Sequence, residues 1–160
     1  MDHSTHSGVT AAPEGRALTR LAVSATLHCL TGCAIGEVLG MVIGTAAGWS
    51  ELQTVALAVG LAFLFGYALG LLPILRSGIG LRAALPIVLA ADTLSITTME
   101  VVDNAIMLGI PGAMDAGLTS PLFWGALAVA LAVAFVVTVP VNRWLIARGR
   151  GHAMVHALHH

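Results

Sequence analysis

Four long apolar stretches, Leu21–Gly48, Thr54–Leu75, Leu81–Ile110 and Leu122–Val141, leave this sequence few ways to fold. Each provides the roughly 20 helical residues needed to cross a hydrocarbon core. Lipid offers no partners to backbone N–H and C=O groups, so such stretches must satisfy them internally as helices. Only 9% of the residues are charged and 58% are hydrophobic, whereas soluble domains carry about 25% charged residues. The expected fold is all-α: a polytopic four-transmembrane-helix bundle. A polar leader is expected over 1–19, the transmembrane domain over 20–146 and a His-rich tail over 147–160. The first stretch exceeds the roughly 7–15-residue core of a signal peptide and is expected to be retained.

Arginine placement orients the bundle. Arg16 and Arg20 precede the first stretch, Arg76 and Arg82 flank the second connection, and Arg143, Arg148 and Arg150 follow the fourth. The other two connections contain none. An even number of spans then puts every arginine, and both termini, in the cytoplasm, as the positive-inside bias requires. Trp49, Trp124 and Trp144 fall at span ends, where interfacial aromatics belong. No basic patch points to nucleic acid; the expected partners are the bilayer and a second copy or a larger membrane complex.

Glycines recur every four residues in the first span, at Gly32, Gly36, Gly40, Gly44 and Gly48, and small residues do so in the second, at Ala58, Ala62, Gly66 and Gly70. Such ridges let a neighbouring backbone come close, within the bundle or across a homodimer.

The first and third spans carry the chemistry. At 100° per residue Cys29, Cys33 and Glu37 form one stripe beside the glycine ridge, with His28 adjacent but rotated away. The cysteines are one helical turn apart, about 6 Å along the axis, a poor geometry for a disulfide, so they are expected as thiols. In the third span Asp92, Ser95, Met99, Glu100, Asp103 and Met107 fall within about 140° of arc on a helical wheel. Both spans run in the same direction. Counting from their starts sets His28 opposite Asp92, and Glu37 opposite Glu100 near mid-membrane.

Each carboxyl at a helix centre costs roughly 2.5–3.5 kcal/mol on the insertion scale. Glu37, Asp92, Glu100 and Asp103 together cost on the order of 10 kcal/mol unless protonated, paired, hydrated or bound to a cation. A functional interior is the default for such residues. Thiolate and thioether suit Cu(I), whereas thiolate, imidazole and carboxylate suit Zn(II). The candidate metal set is His28, Cys29, Cys33, Glu37, Asp92, Met99, Glu100 and Asp103. The termini offer a second possibility. His3 stands third from a free amine, a spacing that suits Cu(II) or Ni(II), and His6 follows. His152, His156, His159 and His160 would share one face of a helical tail.

No phosphate loop or nucleophile–base set appears, so a nucleotide-driven pump or a hydrolase gains no support. Haem is not expected, because His28 is the only histidine within a span. The run His28-Cys29-Leu-Thr-Gly32-Cys33 resembles the HCxxGC motif of a bacterial integral-membrane family known only as a domain of unknown function. The resemblance takes in Gly36-Glu37, Ala91–Ser95, Met99–Asn104, Pro111–Asp115 and Pro140–Arg143. It implies a bacterial inner-membrane protein and transfers no activity. The reading favoured is a protein that binds copper or zinc and transports it or hands it over. Intramembrane thiol or quinone redox chemistry and a non-catalytic assembly subunit are the alternatives. For the orientation, a reporter enzyme active only outside the cytoplasm should be silent when fused to either terminus and active when inserted after Gly117. Activity at a terminus would reverse the topology.

Overall fold

A computed structural model describes residues 14–148. Four helices account for most of them: α1 (Gly15–Ala47), α2 (Glu51–Arg76), α3 (Leu81–Gly109) and α4 (Pro121–Ala147). All four are long and apolar enough to cross a membrane. Large apolar side chains such as Leu64, Val101 and Val136 point outward at mid-helix, which water would penalise and lipid does not. The chain is a multi-pass membrane protein built as a four-helix bundle. Trp49 and Trp124 are exposed at one end of the bundle and Trp144 at the other.

α1 starts earlier than the polar leader allowed, because residues 15–19 are helical. Leu18 anchors those residues. That side chain is buried with Ala22 against Ile146 of α4, and the contact holds the first turns in place. His3, His6, His152 and His156 lie outside the described residues, as do His159 and His160.

The first two chain reversals are short, and the first is capped on both sides. Gly48 adopts φ 66° at the C-terminus of α1, a left-handed geometry that glycine takes without Cβ strain. Two residues later Ser50 opens α2 with a reciprocal capping box: its hydroxyl accepts from the Gln53 N–H while the Gln53 side chain accepts from the Ser50 N–H. So short a link forces α1 and α2 into an antiparallel hairpin. Around the bundle each helix neighbours the next, α4 closes on α1, and α1 meets α3 across the centre.

The hairpin is held at backbone distance. A Cβ added to Gly32 would lie 2.6 Å from the Gly66 Cα. Cβ atoms at Gly36, Gly40 and Gly44 would collide with Ala62, Ala58 and Thr54 in turn. The two small-residue ridges therefore mesh with each other, and the ridge of α1 is covered within the chain rather than left for a second copy. On its other side α2 receives α3: a Cβ at Gly66 would meet the Ile96 Cδ1 at 2.6 Å, and one at Gly70 would strike the Asp92 carboxyl.

A buried polar chain ties three helices together. Ser95 of α3 donates to the Asn142 side-chain oxygen at 2.7 Å. The Asn142 amide donates to the Thr26 hydroxyl of α1 at 2.8 Å, and that hydroxyl donates to the Ala22 carbonyl at 2.7 Å. Interhelical hydrogen bonds in membranes average about 0.6 kcal/mol and reach about 1.7. Asn142→Leu, which removes two of them, should destabilise the bundle by about 1–3 kcal/mol, read as a lower Tm in detergent. Gly36→Ala should cost about 1–3 kcal/mol through overpacking. Gly60→Ala, where a Cβ meets nothing within 4 Å, should leave thermal stability unchanged.

Candidate functional site

The polar face expected on α3 is its inward face. Asp92, Ser95, Met99, Glu100, Asp103 and Met107 are all buried, whereas Leu94, Val101 and Leu108 face outward. Thr93, Thr97 and Thr98 turn their hydroxyls back to the carbonyls of Leu89, Thr93 and Leu94. These groups are satisfied inside their own helix and need no partner from lipid. On α1 the glycine ridge is pressed against α2. The stripe one residue further round, Cys29, Cys33 and Glu37, is thereby turned into the bundle.

Three layers result. In the layer nearest the α1–α2 turn, Glu37 of α1 faces Glu100 and Asp103 of α3. Their side chains are 8%, 5% and 4% exposed. Both oxygens of Glu37, both of Glu100 and Oδ1 of Asp103 are buried and accept no hydrogen bond of ordinary geometry among the described residues; the Glu37 and Asp103 carboxyls adjoin each other, and Glu100 adjoins the Cys33 thiol, contacts that a proton on one partner turns into hydrogen bonds. The Asn104 amide donates to the Glu100 backbone carbonyl at 2.8 Å and lies beside the Glu100 carboxyl. The three acids line a cavity of about 40 Å³, together with Met41, Met107, Met114 and Phe123. That is room for an ion or a water molecule, which needs at least about 10–15 Å³. Glu37 is ten residues before the end of α1 and Asp103 six before the end of α3, which places the chamber about 9–15 Å below that end of the bundle.

The middle layer is apolar. Cys29 and Cys33 are free thiols, packed with Ala62, Ile96, Met99 and Ala134. Cys33 adjoins Glu100, and Cys29 adjoins Ser95 and Asp92. Nothing bridges the two sulfurs, in keeping with their spacing. The third layer holds Asp92, seated against Gly70, and the hydrogen-bonded chain through Asn142. Thr138, one turn before Asn142, is fully buried and its hydroxyl has no partner among the described residues.

The eight residues expected to form one metal set are therefore spread over these layers. Glu37, Glu100 and Asp103 are brought together. Cys29, Cys33 and Met99 form the adjoining core. His28 is exposed, and its Nδ1 donates to the Ser24 carbonyl at 2.8 Å, although it lies within electrostatic range of the Asp92 carboxyl. Among the described residues no three His, Cys, Asp or Glu side chains converge closely enough to hold a metal ion by themselves.

Met41 and Met114 belong to the chamber and were missing from the expected set. Met41 carried a signal: it continues the spacing of Cys29, Cys33 and Glu37 by one more turn. Met114 carried none, because it arrives from the α3–α4 loop. That loop folds inward. Ala113 is fully buried, packed with Met107, Phe123 and Leu127, and the Trp124 indole donates to the Leu118 carbonyl at 2.8 Å.

No curated protein and no solved structure matches the chain. The model of one family, described as Domain of unknown function (DUF4396), matches residues 19–151, which take in all but the first turn of the bundle, and the protein belongs to that family.

Proposed function

We propose that this protein binds a transition-metal cation, copper or zinc, inside the membrane and carries it across or hands it over. The observation behind this reading is the chamber of Glu37, Glu100 and Asp103. Five carboxyl oxygens there are buried with no hydrogen-bond donor of ordinary geometry, around a cavity that thioethers also line. A buried polar group left unpaired costs about 1–3 kcal/mol, and more when charged. A resident cation offsets that cost for all three acids at once; carboxylate oxygen suits Zn(II), and thioether sulfur suits Cu(I). Holding one ion would require the three carboxyls to converge further than they do among the described residues.

The arginine pattern adds an orientation. With both termini in the cytoplasm of a bacterial inner membrane, the chamber lies toward the outer end of the bundle. The thiols sit behind it, embedded in the apolar core, where they pack as small hydrophobes.

Elemental analysis of the purified protein, after loading under reducing conditions, tests the proposal. Near-stoichiometric copper or zinc is expected in the wild type and in Cys29→Ser/Cys33→Ser, with loss in Glu37→Gln/Glu100→Gln. Retention by the glutamine variant moves the site elsewhere. A wild type that holds neither metal removes the proposal.

A further inference from the structure

A second, larger space opens at the same end of the bundle. Its volume is about 380 Å³, and it lies between the α1–α2 turn and the α3–α4 loop. Thr45, Trp49, Glu51, Thr54 and Asp115 stand on its walls. Met41, Val55 and Met114 line both this vestibule and the acid chamber, so they form the neck between the two. Two of the three neck residues carry thioethers. With Met107, three of the six methionines in the chain surround one small cavity.

We infer that the vestibule is the port through which Cu(I) reaches the acid chamber, with Met41 and Met114 as a thioether step in the neck. This inference rests on the proposed function and narrows it to one ion. The chemistry runs in three stages along the route. At the mouth, Glu51 and Asp115 raise the local concentration of cations without discriminating among them. In the neck the donors are neutral sulfur, which binds soft Cu(I) and has little hold on Zn(II) or on hard cations. Inside, the buried carboxyls supply negative charge where water is scarce. An apolar neck of leucine or valine would fill the same volume and give a desolvating barrier. Thioethers allow a soft ion to exchange its water for sulfur as it passes.

Leucine and methionine are close in volume, and exchanging them in a packed core usually costs under about 1.5 kcal/mol. Met41→Leu/Met114→Leu therefore removes the donors and keeps the packing. The purified variant and wild type are titrated with Cu(I) against a chromogenic chelator under ascorbate, and separately with Zn(II). Cu(I) affinity should fall by about tenfold or more, with Zn(II) affinity, helicity and Tm unchanged. Equal Cu(I) affinity overturns the inference, and so does a fall of the same size for both ions.

X-ray absorption on Cu(I)-loaded Cys29→Ser/Cys33→Ser protein is independent of how well the methionine variant folds. Sulfur neighbours at copper support the thioether step, and a shell of oxygen and nitrogen alone overturns it. If the wild type binds metal and the glutamine variant does not, while the methionine variant matches wild type, only the thioether step fails. If the wild type binds neither ion, the proposed function fails with it.

Discussion

The meshing of α1 with α2 fixes everything else in the bundle. In lipid the hydrophobic effect gives helices no reason to associate, so close packing must supply the attraction. Glycine against Gly66, Ala62, Ala58 and Thr54 brings two backbones together where any larger residue would hold them apart. The seam also sets a rotation. Once Gly32, Gly36 and Gly40 are committed to α2, the residues immediately after the first two, Cys33 and Glu37, turn into the bundle, and Met41 follows them. The chemistry of α1 is therefore aimed by its glycines, and α3 needs only to present its own polar face across the centre.

Two buried polar groupings sit in that centre, and they differ in kind. Thr26, Asn142 and Ser95 hand hydrogen bonds from one to the next until the chain ends on a backbone carbonyl. Such a network holds helices in register and asks for nothing further. Glu37, Glu100 and Asp103 are similarly buried, yet five of their oxygens accept no hydrogen bond of ordinary geometry. A structural role would favour the first pattern, because a satisfied network costs less than an unsatisfied one. The second pattern is the one on which the proposed cation site rests.

Most of the architecture was legible in the sequence, because bilayer thickness and backbone hydrogen bonding admit few alternatives. The four-residue recurrences from Gly32 and from Ala58 announced both halves of the hairpin seam. The polar stripe of α3 named its inward face correctly, and depth counting put Glu37 near Glu100. His28 marks where that reasoning ends. Helical spacing shows that it leaves the Cys29 stripe and cannot say that the ring turns outward to its own helix. Thr26 and Asn142 escaped notice because each is an ordinary residue until its partner is known. The chamber itself depends on Met114, and a loop residue has no periodicity from which to infer its place.

The seam has a mechanical consequence. Contact between backbones leaves α1 and α2 few side chains to rearrange, Thr54 against Gly44 being one, so the hairpin behaves as a fixed jaw. The opposing surface near the chamber is different, since Met107, Ala113, Phe123 and Leu127 meet there through side chains that can change rotamer. Met41 and Val55 stand on the fixed jaw, and Met114 stands on the loop that joins α3 to α4. Any widening of the neck must come from that loop and the α3–α4 end it caps. Exchange between chamber and vestibule would be timed by a one-sided movement, with no rocking of two symmetric halves.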